Sequence, residues 1–408
     1  MMDSTSSPLV WAPFLHLYQP PTQLPAVLKK IAEESYVPLV SFLERNPHAK
    51  TTININASLT SQLAEHGYED VLAGLRRLAE KGQVELTGSA AYHPLLSRIP
   101  FSEISRQVQL NEEINREFFG GVYKPRGFFP PEMAYSKKVG DAVAELGYEW
   151  ILVEDACSSV QPLSFDKVYR LDKLNLAVLF RNRKLSLAIA FKQVQNATEF
   201  EELAKKELKD SDFILTALDG ETFGHHHKDG FEIMEGMYGK FESVTISELV
   251  SRYPKGEEND PMESTWAANH AECKKGAIYP RWDHPGSPLH PKQWELYRLA
   301  LTVVEGYVHQ IPPKMLGGKV RDHLTPDQRK WLKARDLLDR GLHSDQFWWA
   351  SHNPHWHPAM VERGADLLLK AILATPEISE SEATRAKELY QEITTEGIKL
   401  YGTEPIIG

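Results

Sequence analysis

The chain has 408 residues, enough for one large domain with an appendage or for two domains. Its composition, 42% hydrophobic and 25% charged with no low-complexity tract, is that of a soluble globular protein. A formal net charge of −10 without basic stripes argues against nucleic acid and anionic membranes as partners.

Met1 to Pro8 lacks a basic region followed by an apolar core of signal length, and no stretch approaches the roughly 20 apolar residues of a membrane span. Cys157 and Cys273 make no CxxC or zinc-ligand spacing and suit a reducing compartment, so a cytoplasmic location is expected. Trp11 to Leu17 predicts a strand, and Thr52 to Ala57 a second, with alternation of period two. Val71 to Leu78 has helical spacing and stops at Lys81-Gly82. Val84 to Thr87 is a third strand, followed by a loop with His93-Pro94, and Ser102 to Phe118 is an amphipathic helix with an acidic first turn. Gly127 to Phe129 is a fourth strand, Ser136 to Leu146 a helix, and Trp150 to Val153 a fifth strand.

Val168 to Phe191 reads as a meander of short β runs. Phe213 to Leu218 resumes the series, and Val244-Thr245-Ile246 predicts a last strand feeding a capped helix. Strands alternating with helices imply parallel βαβ units, and seven such runs favour a closed or nearly closed barrel. Asn259 to Pro291 predicts a long connection, and loops of that length are often functional, which directs attention to Tyr279-Pro280-Arg281-Trp282-Asp283. Helices are then predicted over Gln293 to His309, Pro326 to Arg340, Pro358 to Ala374 and Ser379 to Leu400.

Chemistry-bearing residues concentrate where strands end. Phe213 to Ala217 runs into Leu218-Asp219-Gly220-Glu221-Thr222-Phe223-Gly224-His225-His226-His227, and carboxylates and imidazoles are seldom buried without partners. Glu132 follows the fourth strand in the same way. Active sites of parallel β/α barrels lie at the carboxyl ends of the strands. There the first strand exits through His16-Leu17-Tyr18-Gln19-Pro20, and the third carries Glu85 and then Tyr92-His93-Pro94.

Two carboxylates across a scissile bond suit glycoside hydrolysis, one as nucleophile or base and the other as proton donor, with neither metal nor dissociable cofactor. Structural roles compete with this: Glu132 as a turn cap, Asp219 as the first residue of an Asp-Gly turn, Glu85 as an ion-pair partner of Arg77 or Lys81. The histidine triplet reads as a solvated loop, or as a metal site joining His225 to Asp219 and Glu221, although the helical HExxH arrangement is absent. Trp348, Trp349 and Trp356 form either a helix-packing cluster or a surface on which sugar rings stack.

Five segments, in order, resemble the motifs of glycoside hydrolase family 57, the α-amylase and 4-α-glucanotransferase group. They are His16-Leu17-Tyr18-Gln19-Pro20, Val84-Glu85-Leu86-Thr87-Gly88, Phe129-Pro130-Pro131-Glu132-Met133-Ala134-Tyr135, Leu218 to Gly224, and Ser344-Asp345-Gln346-Phe347-Trp348-Trp349. The chain departs from the family pattern at Tyr18, which stands where the first motif has a second histidine; this bears on one sugar contact.

The resemblance implies an α/β fold, a distorted TIM-like seven-stranded (β/α)7 barrel over residues 1–285, followed by a helical bundle over 286–408 that contributes to the active-site cleft. It implies a retaining enzyme acting on an α-glucan or oligosaccharide, with Glu132 as nucleophile and Asp219 as acid/base, their carboxyls about 5–5.5 Å apart. The pKa of Asp219 should be raised by desolvation and by Glu221 and Glu132. Substrate contacts are implied for His16, Gln19, Glu85, His93, Glu221 and Asp345, with Trp282, Trp348 and Trp349 as stacking faces. No cofactor is expected.

Two alternatives stay open. One is a metal-dependent carbohydrate deacetylase or mannosidase-like hydrolase on a related barrel, which needs Asp219 and histidines to hold a metal. The other is a non-catalytic glucan-binding protein, which needs neither nucleophile nor proton donor.

Overall fold

A computed structural model describes residues 9–171, 174–208, 211–307, 324–352 and 355–406; the segment Met1 to Pro8 and the predicted helix end at His309 lie outside them. The strands are β1 (Val10–Leu17), β2 (Thr51–Ile55), β3 (Val84–Leu86), β4 (Gly127–Phe128), β5 (Trp150–Glu154), β6 (Val168–Arg170), β7 (Ala177–Arg181), β8 (Phe213–Asp219), β9 (Glu242–Ser243) and β10 (Lys255–Glu258). One sheet has the order β3-β2-β1-β8 with β9 also on β1, and the other β10-β6-β7-β5-β4. All pairings are parallel except β6 with β7. All eight residues of β1 are buried, as expected of a parallel strand covered on both faces.

The fold class is therefore α/β, in two sheets without a continuous ladder between them. They meet at two seams. Gly88 N donates to Gly127 O (2.8 Å) and Phe129 N to Gly88 O (3.0 Å) beside β3 and β4; Asn182 N donates to Leu215 O (2.7 Å) beside β7 and β8.

The period-two pattern of β2 does not separate core from solvent, because the whole strand is buried. It separates Ile53 and Ile55, which join the apolar core, from Thr52 and Asn54, which make side-chain hydrogen bonds to neighbouring strands. Side chains on one face of a strand recur every two residues, roughly 6.6 Å apart. In β5 that face runs from Trp150 to Glu154. Gly127, opposite Trp150, must be glycine: a Cβ there would stand 1.8 Å from the indole.

Several sequence expectations are corrected. Arg183–Ala190 is a helix where a β meander was expected; Asn182 caps it by accepting from Leu185 N (2.9 Å), and Leu185, Ala188 and Ile189 are buried at helical spacing. The expected last strand lies earlier than Val244-Thr245-Ile246: β9 is Glu242–Ser243 on β1, with Val244 N donating to Trp11 O (2.9 Å), and it feeds a capped helix as expected. Thr245 is the N-cap of helix Ile246–Arg252, and a capping box with Glu248 takes its backbone and side chain out of any ladder. β2 stops at Ile55 and helix Ala57–Glu65 follows. The expected connection at 259–291 holds a short helix, His270–Lys274, and ends where helix His290–Gly306 begins. Helical residues Pro25 to Arg45, which include a π-helical turn at Ala32–Tyr36, had no counterpart in the expectations.

The described residues fall into two units. The first comprises the chain up to Gln19, Gln23–Ala91 and Leu96–Ile278. The second comprises Pro20–Thr22, Tyr92–Leu95 and the chain from Tyr279 onward. In the second, helix Pro358–Ala374 packs against His290–Gly306, Pro326–Gly341 and Glu380–Tyr401. Thr325 with Gln328 and Ser379 with Glu382 form capping boxes at two of these helices. No helix among the described residues is long and apolar enough to cross a membrane.

Candidate functional site

β1 and β8 end side by side, with His16 opposite Asp219 in register. The His16 ring is fixed by Asn54 Oδ1 (Nδ1 at 2.8 Å), lies 4.9 Å from Phe129 and stacks on Tyr18 at 5.8 Å. Tyr18 thus supports His16. After Asp219 the backbone turns through Gly220–Thr222, and Ser35 Oγ donates to Gly220 O (3.1 Å). Glu221 is buried and accepts hydrogen bonds from Tyr36 Oη and from Gln19 Nε2 (3.2 Å). The π-helical turn therefore supplies both Ser35 and Tyr36 to this site; such turns are frequent at functional sites.

Burial pushes the Asp219 carboxyl up from 3.8 to about 6, with the Arg181 charge pulling the other way. Glu221 is raised by burial and then by the charge of Asp219. The expectation for Asp219 thus holds in direction, with burial as its largest cause. Asp219 nevertheless retains partial exposure.

Glu132 sits in a turn at Pro131–Met133 with φ of +59°, a left-handed backbone unusual for a non-glycine residue and costing roughly 1–3 kcal/mol. Trp266 holds it: the indole Nε1 donates to Glu132 Oε2 (3.0 Å), and Trp266 N donates to Glu132 O (3.2 Å). Next to this, Tyr135 and Ser264 exchange backbone hydrogen bonds of 2.9 and 3.1 Å. The Trp266 ring meets His16 and Phe129 edge-on at 5.8 and 5.7 Å. Glu132 and Asp219 are therefore tied to one group of side chains at the carboxyl ends of the strands.

Glu85 is not brought to this group. It pairs in register with Thr52, two residues before the Asn54 that holds His16, so it lies nearer the amino ends of the strands. Its carboxylate accepts from Ser247 N (2.9 Å), Ser247 Oγ and Thr52 Oγ1 (3.2 Å), and so anchors the first turn of helix Ile246–Arg252. This corrects the expectation of a sugar contact. Arg77, one of the two partners considered for it, pairs instead with Glu44.

His93, Trp282, Asp345, Trp348 and Trp349 belong to the second unit. His93 has φ of +58°, its Nδ1 lies 3.0 Å from Ser344 Oγ, and its carbonyl accepts from Ser344 N (3.0 Å). His343 Nδ1 is 3.3 Å from Asp345 Oδ2. Trp282 is fully buried, so the expected stacking face is not available on it; its ring backs Trp348 at 5.3 Å. Trp348 and Trp349 are half-buried around His355, whereas Trp356 is a packing residue, buried against Tyr401.

The histidine triplet disperses. His225 Nδ1 contacts Glu34 Oε2 (2.6 Å), and His227 Nε2 contacts Ala190 O (2.8 Å). Among the described residues no group of three or more His, Cys, Asp and Glu is placed to hold a metal ion.

Sequence reasoning missed Trp266, Tyr36, Asn54, Arg181 and Glu154. The last two end β7 and β5 as charged residues after apolar runs, the same signal that found Asp219. Trp266 lies outside any strand and carries no such signal.

Residues 9–255 match the family model for glycosyl hydrolase family 57. An alpha-amylase of Pyrococcus horikoshii is 27% identical over 218 residues, which cover 52% of this chain and 33% of that protein. A 4-alpha-glucanotransferase of Thermococcus kodakarensis is 26% identical over 218 residues, covering 52% and 32%. The aligned part thus spans about a third of these relatives' length. The crystal structure of a branching enzyme from Pyrococcus horikoshii superposes with a TM-score of 0.70 at 17% identity, covering 97% of this chain and 96% of the other, a likeness of fold.

Proposed function

Because the chain belongs to glycosyl hydrolase family 57, we propose that it is a retaining glycoside hydrolase or transglycosylase acting on α-glucans, with Glu132 as nucleophile and Asp219 as acid/base. One observation carries this reading: two carboxyls stand on one rim in different surroundings. Glu132 receives a hydrogen bond from the Trp266 indole (3.0 Å), while burial favours the protonated form of Asp219. In this mechanism Glu132 attacks the anomeric carbon as Asp219 delivers its proton to the departing oxygen. Asp219 then takes a proton from water or from a sugar hydroxyl, which displaces the Glu132 ester and releases the product with retained configuration.

His16 is a hydroxyl ligand in this reading, its ring oriented by Asn54. Glu221 and Gln19 act behind Asp219, a second buried carboxyl with its donor. His93, Asp345, Trp348 and Trp349 are proposed sugar contacts, with Trp282 as the support of Trp348. The fold we infer is a seven-stranded (β/α)7 barrel in the order β8-β1-β2-β3-β4-β5-β7, a reading supported by the hydrogen bonds at the two seams. Alpha-amylase and 4-alpha-glucanotransferase relatives support an α-1,4-linked substrate.

The test is incubation with maltooligosaccharides and with starch, followed by product separation. Products longer than the starting sugar mean transfer; shorter ones alone mean hydrolysis. Glu132→Gln should abolish either activity with the circular dichroism spectrum unchanged. Wild-type turnover by that variant would remove Glu132 from the nucleophile role.

A further inference from the structure

Arg181 and Glu154 form a buried ion pair at the ends of β7 and β5, with the guanidinium 4% exposed and the carboxylate 0%. Pairs of this kind contribute little stability compared with apolar residues of the same volume, so this placement asks for another explanation. The guanidinium reaches three elements at once. Nε donates to Glu154 Oε2 (2.7 Å), Nη1 to Ala217 O (3.1 Å) and Nη2 to Trp266 O (3.4 Å). It also lies 5.5 Å from the Trp266 ring centroid. Ala217 stands two residues before Asp219, beside the seam where β7 and β8 share no ladder.

We propose that Arg181 is a positioning residue for both carboxyls of the pair: through Trp266 it fixes Glu132, and through the Ala217 carbonyl it fixes the end of β8 that carries Asp219. This rests on the glycosidase reading above. Arg183 braces the same assembly, its Nη1 donating to Trp266 O (2.7 Å) and to Glu154 Oε2 (3.2 Å). Asp155, pushed up to about 7 by burial and by Glu154, completes the set of charges behind Arg181. Among the described residues the groups around Asp219 include Arg181 on β7, Glu221 on its own turn, Tyr36 from the π-helical turn and His16 on β1, with Glu132 the partner carboxyl of the proposed mechanism. Arg181 is the cation among them that favours the ionised form, opposing burial.

The test measures kcat and KM on a maltooligosaccharide across pH for the full-length wild type and for Arg181→Met, Arg181→Lys and Glu132→Gln, with circular dichroism on each. Arg181→Met should lower kcat on the order of 100-fold, as misplacement of reacting groups does, while KM changes by less than about threefold. Its high-pH limb should move up by about one pH unit, because Asp219 holds its proton more tightly once the cation is gone. Arg181→Lys should keep that limb in place and still lose kcat roughly tenfold, since an ammonium cannot span Glu154, Ala217 and Trp266 together. If Arg181→Met does not fold, Arg181→Lys decides the matter through kcat. A folded Arg181 variant with wild-type kcat and pH limb overturns the proposal. Should Glu132→Gln be inactive in that same experiment, only the role of Arg181 falls; a fully active Glu132→Gln would overturn the glycosidase reading itself.

Discussion

Asp219→Asn exposes the cost of keeping a carboxyl at this site. Burial raises the Asp219 pKa from 3.8 to about 6. A carboxyl raised in the folded state contributes its full stability below the unfolded value and loses it as pH climbs from about 3.8 to about 6. At about 1.4 kcal/mol per pH unit, the ionised form costs the native state about 3 kcal/mol above pH 7. Asparagine keeps the shape and carries no charge. The variant should therefore be more stable than wild type at pH 8 by about 1–3 kcal/mol, the lower figure allowing for partial exposure; the Arg181 attraction is already contained in the net shift. Glu221 adds to the gain, because its raised pKa owes part of its shift to the Asp219 charge. At pH 4 the two proteins should agree within about 0.5 kcal/mol. Urea unfolding followed by circular dichroism at both pH values is the assay, alongside a glucan assay in which the variant should be inactive. A gain of equal size at pH 4 and pH 8 would assign it to packing, and no gain at pH 8 would refute the buried-charge argument. On the proposed role of Asp219, a group that destabilises its own fold is the usual trade between activity and stability.

Two other substitutions separate catalysis from architecture. Trp266→Phe keeps a ring against His16 and removes the donor to Glu132 Oε2; loss of a hydrogen bond to a charged group, worth about 1.5–3 kcal/mol, should lower kcat/KM roughly 10- to 150-fold, read from steady-state kinetics on maltooligosaccharides. Glu85→Ala should do the reverse. It strands Ser247 N, Ser247 Oγ and Thr52 Oγ1, which should lower stability by about 1–3 kcal/mol in urea titrations while the product pattern stays that of wild type. An altered product pattern with unchanged stability would return Glu85 to the substrate.

The acids at the rim were legible because a charged residue at the end of an apolar run has few structural reasons to be there. That rule found Glu132 and Asp219, and applied to β5 and β7 it would have found Glu154 and Arg181 as well. The rule does not reach Glu85, which lies within β3 and not at its end. Only the register with Thr52 and the arrival of Ser247 from 162 residues away decide that this carboxylate anchors a helix. Trp266 was illegible for a similar reason, since it stands 134 residues from the Glu132 it holds.

The local part of the fold followed from periodicity wherever a run was long enough to distinguish 2 from 3.6. Helix Pro358–Ala374 matches its expected span, and β1 extends its own by one residue. Short runs failed, as at Arg183–Ala190, where eight residues fit either period until Asn182 capped them as a helix. What the amino-acid order determined by itself was where strands end and which acids stand there, because burial of apolar runs and exclusion of charge are local effects. What only the tertiary structure decided was the environment of each acid: the depth that raises Asp219, the indole that holds Glu132 and the guanidinium that meets the Ala217 and Trp266 carbonyls. Those depend on side chains more than 30 residues apart in the chain coming together.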